Sequence, residues 1–167
     1  MREVNRYHIE YYQRECMRRS DQEITDIVEI ESILNCASVC RIGLADDGDP
    51  YIVPVCFGYT DGRIYFHSAL SGKKIAMLEK NPRCCFEVDL CDSITRQARP
   101  CEWGIRYKSV IGFGRAYSVS DASEKQHGLN CIMYHYRCGM YEFSEDDLIN
   151  VVVIRIDIDS MTGKKNE

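Results

Sequence analysis

The 167-residue sequence lacks any apolar run long enough to cross a membrane. A transmembrane helix needs about 18 or more consecutive apolar residues, and polar or charged residues interrupt every run before that length. The opening residues, MREVNRYHIEYYQRE, also lack the apolar core of a secretory signal peptide. We therefore expect a cytoplasmic protein with no membrane partner.

The sequence has no excess of basic residues, since its formal net charge is −5. Binding to nucleic acid through bulk charge is therefore not expected. The sequence also lacks the GxGxxG motif of a Rossmann dinucleotide site, because Gly112-Phe-Gly114 is only a fragment of it inside a predicted strand. It contains neither an internal repeat nor a low-complexity segment, which favours a single globular domain.

Cysteine, in contrast, is abundant, with ten residues. Without an export signal we expect reduced thiols, most of them small buried hydrophobic residues, rather than disulfides. Adjacent Cys84 and Cys85, and the pair Cys36 and Cys40, lack the spacing of a zinc site.

The most informative stretch is residues 50–86, PYIVPVCFGYTDGRIYFHSALSGKKIAMLEKNPRCCF. Its β-branched and aromatic residues predict a strand. Asp61-Gly62 predicts a hairpin turn, because Gly tolerates positive φ, and residues 64–66 predict the returning strand. A loop through His67 should follow, and then a short helix that Ser71 caps and that ends at Asn81-Pro82.

Two lysines begin this short helix. Lys73 and Lys74 lie in its predicted first turn, where cations are unfavourable for the helix dipole unless an anion is nearby. Exposed backbone amides, a serine hydroxyl and two ammonium groups make a good phosphate cradle. An ordinary solvated lysine pair explains the same residues, and this feature alone does not decide between the two.

The remaining segments predict a mainly β fold with helices. Isoleucine and leucine at helical spacing indicate a helix from Ile24 to about Asn35, and an Asp121-x-x-Glu124 capping pattern begins another. Glycines inside the long run after Trp103 indicate bulges or bends. Further strands are predicted at residues 38–45, 84–90, 103–119 and 150–158, and loops at residues 91–101 and 142–147. About six strands joined by hairpins, with three or four helices, favour an antiparallel barrel over a parallel α/β sheet.

A second constellation lies on the later helix. His127, Cys131, His135 and Cys138, here called the His/Cys stripe, fall within about 80° of arc on a helix of 3.6 residues per turn. These are zinc ligand types, but one straight helix cannot place four ligands tetrahedrally around one ion. A mixed surface or a subunit contact is the favoured reading, and we assign no metal ligands. The apolar residues of this helix, Leu129, Ile132, Met133 and Tyr136, should lie on the opposite side.

The central stretch resembles a known family. The segments PYIVPVCFGY, DGRIYFHSALSGKK and NPRCCFEVD are similar to the FMN-binding split-barrel proteins related to pyridoxamine 5′-phosphate oxidase. They are most similar to the branch of the 5-nitroimidazole reductases. The segment WGIRYKSVIGFG and the terminal DIDSMTGK fit the same branch. The resemblance spans about residues 20–164. It implies a split β-barrel domain over residues 20–167. The polar and aromatic residues 1–19 before it, which show no clean apolar stripe, are expected to form an arm or helix that contacts a partner subunit.

The resemblance also implies a flavin, FMN rather than FAD, held at the interface of a homodimer. A flavin needs its phosphate bound, its ring covered and the polar edge of that ring hydrogen-bonded. Backbone groups along residues 51–55 should face the ring edge, with Pro54 breaking strand pairing there. Stacking surfaces and hydroxyls should arrive across the dimer interface. The expected cofactor-binding residues are Tyr51, Val53, Pro54, Val55, Phe66, His67, Ser68, Ser71, Lys73, Lys74, Trp103, Tyr107 and Ser109.

The expected function is reduction of small electron-poor compounds such as nitroimidazoles, with NAD(P)H as a candidate electron donor. His67 is the candidate catalytic residue, since the related proteins carry a histidine in the same HSA context, but a positioning role is favoured. One alternative is a non-catalytic flavin-binding or redox-sensing protein. Another is a haem- or metal-binding protein on the same barrel. True pyridoxamine phosphate oxidase activity is not expected, because the substrate-binding C-terminal segment of those oxidases is not found.

Overall fold

The computed structural model describes residues 19–166, so the predicted N-terminal arm lies outside the described residues except for Arg19. The described residues form eight strands and four α-helices. The strands are β1 (Glu23–Ile24), β2 (Cys40–Asp46), β3 (Asp49–Val55), β4 (Phe57–Thr60), β5 (Arg63–Ser68), β6 (Arg83–Thr95), β7 (Gly104–Ser118) and β8 (Val152–Asn166). The helices are α1 (Ile27–Cys36), α2 (Lys73–Lys80), α3 (Ala122–His135) and α4 (Glu145–Ile149), with 3-10 turns at Ser20–Gln22 and Pro100–Glu102.

All strand pairs are antiparallel, and the sheet order is β3-β2-β6-β7-β8-β5-β4, with β1 added beside β8. The two end strands, β3 and β4, are separated in the chain by Cys56 alone. The ends of the sheet therefore meet without pairing. This arrangement is a split barrel with helices outside, and it confirms the predicted fold class.

The barrel interior is filled by alternate residues of its strands. Ile42, Phe57, Ile64 and Phe86 are fully inaccessible to solvent. The inward side chains of α1 join this core, which explains the isoleucine spacing of that helix. A second cluster lies under α3 and contains Tyr65, Val119, Leu129, Ile132 and Val153.

The central hairpin has the predicted turn. Asp61 and Gly62 both have positive φ, 48° and 73°, as a two-residue hairpin turn requires. The predicted break at Pro54 is wrong, because β3 pairs with β2 without interruption from Val55 to Asp49. Since β3 is an edge strand, its proline needs no partner on the outer side.

Several element bounds differ from the sequence prediction because strand pairing overrides local pattern. Ile24 belongs to β1 and not to a helix, and β5 continues through His67 and Ser68, which pair with β8. Strands β6 and β8 extend far beyond the predicted ends, because each pairs along the length of β7. The predicted acidic loop at residues 142–147 instead contains the start of α4, which Ser144 and Asp147 close with a capping box.

The pairing of β7 is irregular beside Gly114, where the extra residue, Asp159, lies on β8. Its register against β8 shifts between Phe113 and Gly114. A Cβ on Gly112 would collide with the Phe86 ring and lie 2.8 Å from the Ser160 carbonyl oxygen. These glycines therefore allow β7 to pass close over the core.

No helix within residues 19–166 is both long and apolar enough to span a membrane.

Candidate functional site

The start of α2 is an uncapped helix terminus. Its N-cap is Gly72, with φ 140°, and no side chain bonds the free amides, so the predicted cap by Ser71 is wrong. Ser71 cannot serve because Gly72 intervenes in a conformation that L-residues rarely adopt. A Cβ on Gly72 would meet nothing within 4 Å. The backbone amides at this end therefore have no side-chain cap.

The charges at this terminus favour an anion. The first turn of α2 contains no acidic residue, and Lys73 and Lys74 both lie in it, as predicted. The Lys73 Nζ lies 4.7 Å from the centroid of the Tyr51 ring, and the Lys74 Nζ lies 5.9 Å from that of Phe66. The lysines thus come together with predicted site residues from β3 and β5.

Ser68 and His67 occupy opposite faces at the end of β5. Ser68 is only 5% exposed, and its Oγ has no hydrogen-bond partner among the described residues. The adjacent His67 is exposed, and its backbone pairs with Val153. An unpartnered buried hydroxyl is costly, so Ser68 is an unusual residue to find four positions before Gly72.

The edge strand β3 supplies a further set of backbone groups. It pairs with β2 on one side, and its other edge has no strand partner among residues 19–166. Tyr51 and Val53 lie half-buried against the core, Val55 is buried, and Pro54 faces outward. The free edge of β3 can therefore offer backbone N–H and C=O groups to a ligand.

The structure does not gather Trp103, Tyr107 and Ser109 beside this cradle within one chain. They lie on or next to β7, which is separated from β3 by β2 and β6. At about 4.8 Å per strand, three strand spacings amount to roughly 14 Å. Tyr107 lines a cavity of about 490 Å³, together with Leu90, Cys91, Asp92, Arg106, Lys108 and Asn166.

An ion cluster on the outer sheet face was not anticipated from the sequence. Arg41 on β2 bonds Glu87 at 3.0 Å and also contacts Asp89. The Cys91 thiol donates to Asp89 at 3.1 Å and, with Arg41, lowers the pKa of the Asp89 carboxyl. The alternation of Glu87 and Asp89 along β6 was the available signal, but their partner depended on strand order.

The His/Cys stripe packs against the central hairpin. The His135 ring lies 4.4 Å from that of Phe57, and its Nε2 donates to the Ala37 carbonyl at 2.7 Å. A Cβ on Gly58 would lie 2.5 Å from the carbonyl carbon of Cys131, so α3 sits directly on β4. The part of the chain that the structure describes contains no group of three or more His, Cys, Asp or Glu residues able to hold a metal.

The apolar residues of α3 were predicted to lie together on the side opposite the His/Cys stripe, and the structure agrees only in part. Leu129 and Ile132 are buried, but Met133 and Tyr136 are only half-buried. The helix therefore makes contacts on both flanks, because β4 and β5 pass under it.

Residues 26–165 match the family model described as pyridoxamine 5′-phosphate oxidase. A candidate 5-nitroimidazole antibiotic resistance protein from Bacteroides thetaiotaomicron is 35% identical, with a TM-score of 0.77, over 87% of this chain and 90% of that one. No curated protein matches the sequence.

Two other solved structures share the fold. An FAD-binding protein from Mesorhizobium loti is 26% identical, with a TM-score of 0.65, over 85% of this chain and 96% of that one. An FAD and heme binding protein from Mycobacterium smegmatis is 18% identical, with a TM-score of 0.79, over 87% and 74%. Together with the family match and the shared split barrel, these findings establish that the chain belongs to the pyridoxamine 5′-phosphate oxidase family.

Proposed function

We propose that the protein binds FMN and reduces small electron-poor compounds such as nitroimidazoles. The observation that carries this proposal is the start of α2, where uncapped amides, two lysines and no acidic residue meet. A phosphomonoester carries about −1.5 to −2 charges at neutral pH, which suits two ammonium groups. Ser68, with its unpartnered hydroxyl, would take part in holding the phosphate once its side chain turns outward.

The other residues fit the remaining needs of the cofactor. The free edge of β3 would hydrogen-bond the polar rim of the ring. The rings of Tyr51 and Phe66 lie beside the ammonium groups of Lys73 and Lys74, which would bind the phosphate. A bound flavin supplies hydride transfer between a donor such as NAD(P)H and the electron-poor compound. His67, exposed beside the cradle, orients ligands there rather than supplying a proton.

The proposed assembly is a homodimer with two equivalent sites. The outer sheet face exposes apolar side chains, of which Ile111 on the central strand β7 is 44% exposed and Ile52 on the edge strand β3 is 69% exposed. A second copy placed on this face would bury them, and isologous twofold dimers are the commonest assembly. It would also bring Trp103, Tyr107 and Ser109 of one copy toward the cradle of the other, which one chain alone does not do.

The relative from Bacteroides thetaiotaomicron supports the choice of substrate class, because its description names 5-nitroimidazole antibiotic resistance and it is 35% identical. The FAD-binding relative from Mesorhizobium loti supports a flavin without deciding between FMN and FAD.

The deciding experiment begins with ligand released from freshly purified protein and identified by mass spectrometry. We expect FMN. The holoprotein should then be bleached by NAD(P)H and recover its flavin absorbance on addition of a 5-nitroimidazole. Bleaching without recovery would favour the non-catalytic or redox-sensing alternative, and release of haem would refute the proposal.

A further inference from the structure

The hairpin between β6 and β7 projects beyond the barrel. Ile94 and Ile105 are directly paired near its tip, and both are at least half exposed. The tip of this hairpin is exposed, so it has no hydrophobic core that could bury an aromatic side chain. Trp103 nevertheless lies at the end of this hairpin, immediately before β7.

Trp103 is held in a fixed orientation. Its Nε1 donates to the Gln97 carbonyl at 2.9 Å, and its backbone amide donates to the Pro100 carbonyl at 3.2 Å. The Arg96 guanidinium lies 5.7 Å from the centroid of the indole ring, a cation–π distance. The side chain remains 51% exposed. One part of the indole is therefore occupied by Arg96, and the rest faces solvent.

We propose that Trp103 is a stacking platform for the flat, electron-poor ring of the substrate, and that Arg96 is the residue that positions it. This inference rests on the proposed function, since it names the residue that recognises the substrate of that site. An indole is electron-rich, and face-to-face contact with an electron-poor heterocycle is favourable. Because the hairpin projects from the barrel, the ring it meets is one held in the site of a second copy.

The structure separates this role from phosphate binding. The hydrogen bond and the cation–π contact that orient the Trp103 indole both come from the loop between β6 and β7, through Gln97 and Arg96. Tyr107, farther along the same strand, lines the cavity of about 490 Å³ at the base of the hairpin.

The test uses the fact that Trp103 is the single tryptophan of the sequence. The tryptophan emission of the purified holoprotein is measured while 2-methyl-5-nitroimidazole is added. A parallel titration uses 2-methylimidazole, which has the same ring without the nitro group that makes it electron-poor. We expect saturable quenching by the nitro compound alone. A linear response equal to that of free N-acetyltryptophanamide would overturn the proposal.

Turnover gives a second measurement. Trp103→Leu should raise KM for the nitro compound by about tenfold, in the range of one lost ring-stacking contact. Loss of flavin from this variant would make Trp103 a cofactor contact and refute the inference. If no turnover is found at all, the proposed reductase function fails, while saturable quenching still establishes the platform.

Variants of the loop test the role of Arg96. Arg96→Gln should weaken the quenching by the nitro compound several-fold, and Arg96→Lys should restore much of it, because a cation over the ring is retained. Arg99→Gln is the matched control, since Arg99 lies in the same loop but pairs with Glu102 at 3.3 Å. Equal effects of Arg96→Gln and Arg99→Gln would refute the positioning role.

Discussion

At the scale of single residues, Lys73 and Lys74 are the most direct test of the cofactor site. Charge-assisted contacts contribute roughly 1.5–3 kcal/mol each. Changing both to Ala should therefore weaken FMN binding about 100-fold or more, at roughly tenfold per 1.4 kcal/mol. Titration of the apoprotein with FMN measures this.

The matched control for that change is Lys80→Ala. Lys80 lies at the other end of the same helix and pairs with Asp46 at 2.6 Å. The Lys80→Ala change removes a positive charge that lies outside the cradle, so FMN affinity should stay within about twofold. Unchanged affinity in the double variant would remove the phosphate assignment.

His67 provides a second prediction at this scale. Because its side chain is exposed and its place in β5 is fixed by backbone pairing with Val153, His67→Asn should retain flavin and lose little turnover. Stopped-flow oxidation of the pre-reduced variant by a nitro compound isolates this half-reaction. A fall of about 100-fold would instead identify a general acid.

At the scale of elements, β7 depends on a glycine. Gly112→Ala would push a Cβ into Phe86 and the Ser160 carbonyl, and should lower the free energy of unfolding by about 1–3 kcal/mol. Gly104→Ala, in the first residue of the same strand, meets only the Asn166 side chain at 3.9 Å and should be nearly neutral. Urea unfolding compares the two, and equal stability would contradict the close packing described for β7.

The Arg41 cluster predicts a pH dependence of the pairing between β2 and β6. The Cys91 hydrogen bond and Arg41 lower the pKa of Asp89 in the folded state. Its stabilising contribution is therefore complete above the unfolded pKa of about 3.9 and is lost as pH falls through the lower folded value. Asp89→Asn should cost about 0.5 kcal/mol at pH 6, as partly exposed pairs do.

Urea unfolding of both proteins at pH 6 and near pH 2.5 measures this difference. The gap between wild type and Asp89→Asn should shrink as pH falls, because the Asp89 carboxylate loses its charge as pH passes through its lowered pKa. A gap that is constant with pH would show that the carboxylate charge contributes nothing.

At the scale of the whole molecule, the proposed dimer rests on the exposed middle of the sheet. Ile111→Lys should yield a monomer with little bound flavin, because the lysine would have to be buried against a second copy. Ile149→Lys is the control, since Ile149 is 63% exposed on α4 and away from the sheet face. Light scattering with flavin absorbance measures both properties, and a wild-type monomer that holds flavin tightly would contradict the assembly.

The sequence by itself determined the local features that need only neighbouring residues. The Asp61-Gly62 turn and the lysines in the first turn of α2 follow from backbone sterics and side-chain type. The mainly β class follows from residue composition and hairpin signals in the same way. A family resemblance in the central segments added the split barrel, which the structure confirms.

Only the tertiary structure decided what depends on distant strands. Pro54 needs no break because β3 is an edge, and His67 and Ser68 are strand residues because β8 pairs with them. The cluster around Arg41 arises from strand order, which no local pattern encodes. Packing and pairing between segments far apart in sequence fix these positions, because the free energy of burial depends on which surfaces meet.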